Sequence, residues 1–291
     1  AMICDPHMPE KARHGDTEGI RACIGCNQSC IGRAHKGLGI SCIQYPQSGR
    51  ELEFAIPPKI TNLKNIVVIG GGPAGMKAAA AAAERGHSVT LYEAQKRVGG
   101  QVNLAHRLPG RQEFGGMVTN LEVEMVRAGV TIVTDSTATA EFVIAAGVDT
   151  AIIATGARCY VPSMEGLDEQ HTVTAWDILT GSATAGASVV IADWRADWIG
   201  LGLAEQLVLS GCSVTLCVNG AMAGETLQMY TRNHYVGRLH KLGVTIKTHA
   251  RLFGAAPQPE GRRARARAVS DRGAAGGDQR AGPQDCAPRE L

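Results

Sequence analysis

Four cysteines stand at Cys23, Cys26, Cys30 and Cys42, with the spacing C-x2-C-x3-C-x11-C. Three thiolates within eight residues converge only if the backbone curls round a common centre, and Gly25, Asn27 and Ser29 tolerate such turns. The fourth thiolate arrives from a loop holding Gly32, Gly37 and Gly39. Four thiolates round a compact centre fit a [4Fe–4S] cluster. The competing readings are a Cys4 zinc site, which usually uses two separated C-x2-C pairs where this chain has one, and inert buried thiols. Cys4, Cys159, Cys212, Cys217 and Cys286 have no partner at ligand spacing and read as core or surface thiols.

A second constellation follows. Gly70-Gly71-Gly72-Pro73-Ala74-Gly75 is a G-x-G-x-x-G run between an apolar, β-branched stretch and an alanine-rich one, which is strand, turn and helix. Gly70 allows the tight turn, Gly72 lets backbone approach a pyrophosphate, and Gly75 lets helix pack on strand. The anion then rests on the helix N-terminus. Glu93 closes the next strand, Ser88–Glu93, where a carboxylate can accept a ribose hydroxyl. Val98-Gly99-Gly100-Gln101 follows that acid, and a strand at Thr150–Ala154 runs into Ala154-Thr155-Gly156. These last features resemble the FAD domains of two-dinucleotide reductases, so FAD is expected rather than NAD.

Stepping out to the elements, the same plan recurs about 120 residues later. Ser188–Ala192 reads as a strand, Gly200–Leu209 as a helix and Ser213–Val218 as a strand. The turn between the first two departs from pattern: in Ala192-Asp193-Trp194-Arg195-Ala196-Asp197-Trp198-Ile199-Gly200 only Gly200 matches. Asp193 and Asp197 would repel a pyrophosphate, and Val218 stands where a ribose acid is expected. Trp194 and Trp198 read as a packed pair on one helix face.

The expected fold class is α/β. Two Rossmann-like dinucleotide-binding units follow a cysteine-rich iron–sulfur segment, with a disordered C-terminal tail. The divisions expected are 1–20, 21–64 (cysteine segment and linker), 65–180 (first unit), 181–254 (partial second unit) and 255–291 (tail). The tail has almost no large apolar residue and is built mainly from Ala, Arg, Gly and Pro, so it reads either as disordered or as out-of-frame translation. Its seven Arg against five Asp/Glu account for the whole formal charge of +2, which leaves the rest balanced, so no nucleic-acid surface is expected there. No run of about 18 uncharged apolar residues exists, so no membrane span is expected. No basic stretch precedes an apolar one at the N-terminus, so a reducing, cytoplasmic compartment is expected.

Together Cys23-Ile-Gly-Cys26-Asn-Gln, the GGGPAG loop, the GGQ and the ATG resemble the C-terminal half of the old yellow enzyme-related NADH:flavin oxidoreductases. That family includes 2,4-dienoyl-CoA reductase, trimethylamine dehydrogenase and the N-methylproline or dimethylglycine demethylases. The resemblance covers residues 1–253. It implies an FMN-bearing TIM barrel upstream, with 1–20 as its exit, and substrate-handling residues that lie in that barrel. It also implies that Ala74, Glu93, Gln101 and Arg111 contact FAD, and that electrons pass between FMN, cluster and FAD. The second unit would take NAD(P)H or, as in the trimethylamine dehydrogenase branch, ADP, with electrons leaving to an electron-transfer flavoprotein. The broken second glycine motif favours the demethylase branch. The alternatives are an FAD electron-input subunit like the small subunit of glutamate synthase, or an inactive truncated fragment.

Overall fold

The computed structural model describes residues 2–54, 60–164, 166–167, 172–254 and, for the backbone, 268–270. The N-terminal part carries three short helices, α1 (Met8–Arg13), α2 (Ile31–Ala34) and α3 (Glu51–Phe54). Ahead of α1 the Asp5 carboxylate is buried and accepts hydrogen bonds from the Lys11 ammonium at 2.8 Å and the Arg21 N–H at 2.8 Å. The stretch 2–21 is therefore folded onto itself, although its sequence shows little periodicity.

The first α/β unit is built from β1 (Asn65–Ile69), α4 (Pro73–Glu84), β2 (Ser88–Tyr92), α5 (Val102–Ala105) and α6 (Gly115–Ala128). It continues through β3 (Thr131–Val133), α7 (Ala140–Ala145) and β4 (Thr150–Ile153) to α8 (Ala175–Thr180). Its four strands lie parallel in the order β3-β2-β1-β4. The sequence fits these elements closely. Ile66, Val67 and Val68 are all buried, the near-continuous apolar run of a strand covered on both faces. Alanines at 79 and 80 let α4 lie flat on the sheet, and Met76, Leu91 and Met125 fill the remaining space.

The second unit comprises β5 (Ser188–Asp193), α9 (Trp198–Leu209), β6 (Ser213–Val218), α10 (Met229–Lys241) and β7 (Thr245–Lys247), with strands parallel in sequence order. Helix α9 is apolar but for Glu205 and Gln206. It buries Leu201, Leu203, Ala204 and Leu207, and sets Gly202 against Leu108 of the first unit. Both parallel α/β units are consistent with a Rossmann-like fold. Beyond them β8 (Ala250–Leu252) pairs antiparallel with β9 (Ala268–Ser270). The expected tail lies mostly outside the described residues. Its strand β9 was not foreseen from composition, because three residues of pairing need only backbone donors and acceptors. No helix among the described residues is long and apolar enough to cross a membrane.

Candidate functional site

Strand β1 is flanked by β2 on one side and β4 on the other, so successive connections leave it in opposite directions. Its carboxyl end is a switch point, where open α/β sheets form a crevice. There the chain turns through Gly70 at φ +104° and enters α4 at Pro73, with Gly72 extended just before it. A Cβ on Gly75 would stand 1.9 Å from the Gly70 carbonyl oxygen and 3.2 Å from the Ala154 Cβ. Loop, helix and the end of β4 thus meet at backbone contact. Gly72 differs: nothing lies within 4 Å of where its Cβ would be. The open side of the loop therefore coincides with the first turn of α4, whose N–H groups have no intrahelical acceptors. Ala74 is exposed in that turn.

Glu93 sits just past β2 and is only 7% exposed. One carboxylate oxygen accepts the Gly71 N–H at 2.7 Å and the other the Gln95 N–H at 2.8 Å. It braces the glycine loop directly, and its remaining lone pairs are free for hydroxyl donors. The Gly99 N–H donates to the Gly71 carbonyl at 2.7 Å. A Cβ on Gly100, at φ +50°, would lie 2.9 Å from the Gly72 Cα, so the two glycine runs are in contact. The Gln101 amide donates to the Ala157 carbonyl at 2.9 Å, beside Gly156. Gly70, Gly72, Ala74, Gly75, Glu93, Gln101 and Gly156 thus gather near the carboxyl ends of β1, β2 and β4. Arg111 lies at the seam of the two units, its guanidinium 3.4 Å from the Trp198 ring centre.

In the cysteine segment Gly25 and Asn27 both take positive φ, +62° and +57°, as a tight curl requires. Cys26 is buried, Cys30 and Cys42 are half-buried and Cys23 is exposed. The Ser41 N–H donates to the Ser29 carbonyl at 2.8 Å, which draws the approach to Cys42 alongside Cys30. Burial pushes the Cys26 thiol up, and the charges of Cys30, Cys42 and Cys23 add to that push. Among the described residues no three His, Cys, Asp or Glu side chains stand in a metal-holding arrangement. The four thiols share a neighbourhood without closing on one centre. Cys4 belongs to the same neighbourhood: burial raises its thiol first, and Cys23 and Cys42 raise it further. Spacing could not reveal this, since Cys4 reaches the others through the fold of 2–21.

A polar seam also escaped the sequence reading. The Gln44 amide donates to the Ala22 carbonyl at 2.9 Å, and the Asn120 amide donates to the Gln44 oxygen at 2.8 Å. Glu124 pairs with Arg21, and with Lys77 at 2.6 Å. These contacts tie the cysteine segment to α4 and α6.

In the second unit β5 extends one residue further than expected, to Asp193, which is 6% exposed. Its Oδ1 accepts the N–H groups of Arg195 at 3.1 Å and Ala196 at 2.9 Å. Its Oδ2 is buried without a hydrogen-bond partner and would lie 2.2 Å from a Cβ on Gly200. Burial pushes the carboxyl up to about 6, with the nearby Asp197 adding to the rise. Asp197 caps α9, accepting the Ile199 N–H at 3.0 Å. The expected Trp pair on one helix face is corrected here. Trp194 precedes the helix, and the ring of Trp198 meets Phe114 and Tyr235. The capping aspartate starts the helix at Trp198, so the four-residue spacing never falls within it.

Residues 64–271 match the family model described as pyridine nucleotide-disulphide oxidoreductase, a match that runs past the change in composition at 255. An NADH oxidase of Thermoanaerobacter brockii is 34% identical over 250 residues, 85% of this chain and 38% of the relative. An N,N-dimethylglycine/sarcosine dehydrogenase of Chromohalobacter salexigens is 34% identical over 249 residues, 81% of this chain and 36% of the relative. A solved 2-naphthoyl-CoA reductase superposes with a TM-score of 0.82 at 27% identity, over 88% of this chain and 38% of that one. The chain therefore spans little more than a third of these proteins. A domain of this kind implies binding of FAD and a nucleotide. The chain belongs to the pyridine nucleotide-disulphide oxidoreductase family.

Proposed function

We propose that this chain is the electron-transfer portion, carrying a [4Fe–4S] cluster and FAD, of a multicentre flavin oxidoreductase of N-methylamine demethylase or enoyl reductase type. The observation that carries the reading is the braced glycine loop. Glu93 holds Gly71, Gly100 abuts Gly72, and the space a Cβ on Gly72 would take, at the entry to α4, is open. That arrangement suits a diphosphate on the helix with ribose hydroxyls near Glu93. Gln101 and Gly156 frame the far side of the same opening.

Cys23, Cys26, Cys30 and Cys42 would hold the cluster. Their mutual electrostatic effect and the positive φ of Gly25 and Asn27 support this, although the thiols would have to draw inward on loading. A flavin exchanges electrons in pairs with a nicotinamide or substrate, whereas a cluster passes them singly. The chain's own part is to hold both at fixed separation through the Gln44–Asn120 and Arg21–Glu124 contacts.

The second unit favours the demethylase branch. Asp193 fills the space over Gly200 with a carboxylate, where a dinucleotide fold would bring a pyrophosphate. The relative named as a dimethylglycine/sarcosine dehydrogenase is in keeping with this. In the parent protein an FMN barrel would convert the substrate, and an electron-transfer flavoprotein would collect the electrons. Absorbance of the purified chain tests the core of the reading: flavin bands near 450 nm and about four iron and four sulfide per chain are expected. One zinc per chain with no sulfide would refute the cluster, and no flavin after incubation with FAD would refute the first site.

A further inference from the structure

Strand register sets the turns of the two units side by side. Ile69 pairs with Tyr92 and Ala192 with Cys217, so Asp193 stands where the first unit has Gly70, and Val218 where it has Glu93. In the first unit the turn is braced from the neighbouring strand, by Glu93 accepting the Gly71 N–H. Val218 has no acceptor to offer, and the second turn is braced from within. Asp193 Oδ1 accepts the N–H groups of Arg195 and Ala196, and Asp197 Oδ1 accepts that of Ile199. Three N–H groups at the head of α9 therefore already face carboxylates of the chain itself. A dinucleotide unit turns such groups to a diphosphate.

The second turn is also covered. The Ala196 carbonyl accepts both the N–H and the hydroxyl of Thr226, at 3.2 and 2.9 Å, and Ala196 is 4% exposed. A Cβ on Gly224 would lie 2.8 Å from Leu201 Cδ1, and Ala223 and Leu227 share the buried cluster to which Leu201 belongs. The chain after β6 thus lies over the start of α9. A Cβ on Gly72 would meet nothing within 4 Å, whereas one on Gly200 would stand 2.2 Å from Asp193 Oδ2. That oxygen is buried without a hydrogen-bond partner. It repels a phosphate and offers it no donor.

We propose that the second unit is closed to dinucleotides by its own chain, with Asp193 as the specificity-determining residue that keeps a diphosphate off α9. The proposal deepens, and rests on, the reading of the second unit given above; it does not depend on the cysteines. The nucleotide that a domain of this kind implies fits the first unit, where the turn is open and Glu93 stands ready for a ribose. It does not fit the second, where the acid is missing and the donors are taken. No nicotinamide is then seated on α9 to reduce the flavin.

Hydrogen–deuterium exchange of the deflavinated full chain, with ADP or NADH added, reads the two turns separately. ADP should slow exchange in the turn at 71–76 and leave that at 194–201 unchanged at ligand concentrations up to about 1 mM. Asp193→Gly, which copies Gly70, frees the Arg195 and Ala196 N–H groups. It should bind ADP and NADH at least about tenfold more tightly than the wild-type second unit, with protection now at 194–201. Asp193→Asn removes the charge but still accepts those N–H groups, so its gain should be smaller. Protection of 194–201 by either ligand in the wild-type chain would overturn the proposal. So would a folded Asp193→Gly protein that gains no protection there, or an Asp193→Asn gain equal to that of glycine. If Asp193→Gly does not fold, Asp193→Ala is read by the same outcomes. Missing protection at 71–76 counts against the FAD site instead, and the gain at 194–201 still decides this proposal.

Discussion

Replacing Glu93 with Gln separates two roles that its position combines. In the structure the carboxylate accepts two backbone N–H groups, from Gly71 at 2.7 Å and Gln95 at 2.8 Å, while almost wholly buried. A glutamine can accept only one of them, and its amide nitrogen then faces the other N–H donor to donor. A hydrogen bond to a charged acceptor contributes about 1.5–3 kcal/mol, and a buried donor left unpaired costs about 1–3 kcal/mol. A net loss of about 3 kcal/mol follows, before any cofactor is considered. In a domain of about 150–250 residues that corresponds to a fall in Tm of about 6–12 °C. Differential scanning fluorimetry of the deflavinated protein measures it. A flavin-quenching titration on the same sample should then show FAD bound at least tenfold more weakly, since a charge-assisted ribose contact is lost as well. An apoprotein whose Tm does not move, with FAD binding lost, would refute the reasoning. Glu93 would then serve only the ligand and brace nothing.

Further outcomes follow from the same geometry. Gly75→Ala would drive a methyl to 1.9 Å from the Gly70 carbonyl, so the apoprotein should lose at least about 2 kcal/mol. Gly72→Ala meets nothing within 4 Å and should leave apoprotein stability within about 0.5 kcal/mol while weakening FAD tenfold or more. Thermal melts and FAD titrations of the pair would expose the opposite order if the open side were misassigned. Asp193 is held up at about 6 by burial, so the native state binds its proton more tightly than the unfolded chain does. Stability from this group is full below about pH 4 and is lost as pH rises through about 6. Asp193→Asn should therefore raise stability at pH 7.5 by on the order of 3 kcal/mol, seen as a higher Tm, and flatten the slope between pH 4 and 6. An equal Tm at pH 7.5 for both proteins would count against the buried charge. Glu124→Ala leaves Arg21 and Lys77 without their shared anion, a loss of about 3–5 kcal/mol. Limited proteolysis should then cut within residues 2–54 before the first unit, and an unchanged cleavage pattern would show that the seam is held elsewhere.

Much of the architecture was legible because it is local. Strands at 65–69, 88–92, 188–193 and 213–218 lie within a residue of where β-branched runs place them. The glycine loop follows from its own steric demands. What escaped depends on contacts distant in sequence. Nothing near Gln44 points to Asn120, and nothing near Arg21 points to Glu124. Asp193 and Asp197 read from sequence as two equal repelling charges. In the fold Asp197 is a half-buried helix cap paired with Arg195, whereas Asp193 is buried and turned back on the backbone by the positive φ of Ala196, +47°. A capping aspartate before an apolar run could have been read as the helix start, which would have removed the supposed Trp194–Trp198 pair. The cysteine spacing singled out four thiols but not Cys4, whose place depends on the Asp5–Lys11–Arg21 knot.

The seam of Gln44, Asn120, Arg21, Glu124 and Lys77 fastens the cysteine segment to α4 and α6, which cover the first sheet. If the proposed cluster and flavin are both mounted on this block, the gap an electron tunnels across would be constant. An electron crossing between them would wait on no diffusive swing, and its rate should be indifferent to glycerol or sucrose in the solvent. Viscosity would then register only in steps that need a separate body to arrive, so a solvent series sorts internal transfer from delivery to an outside acceptor.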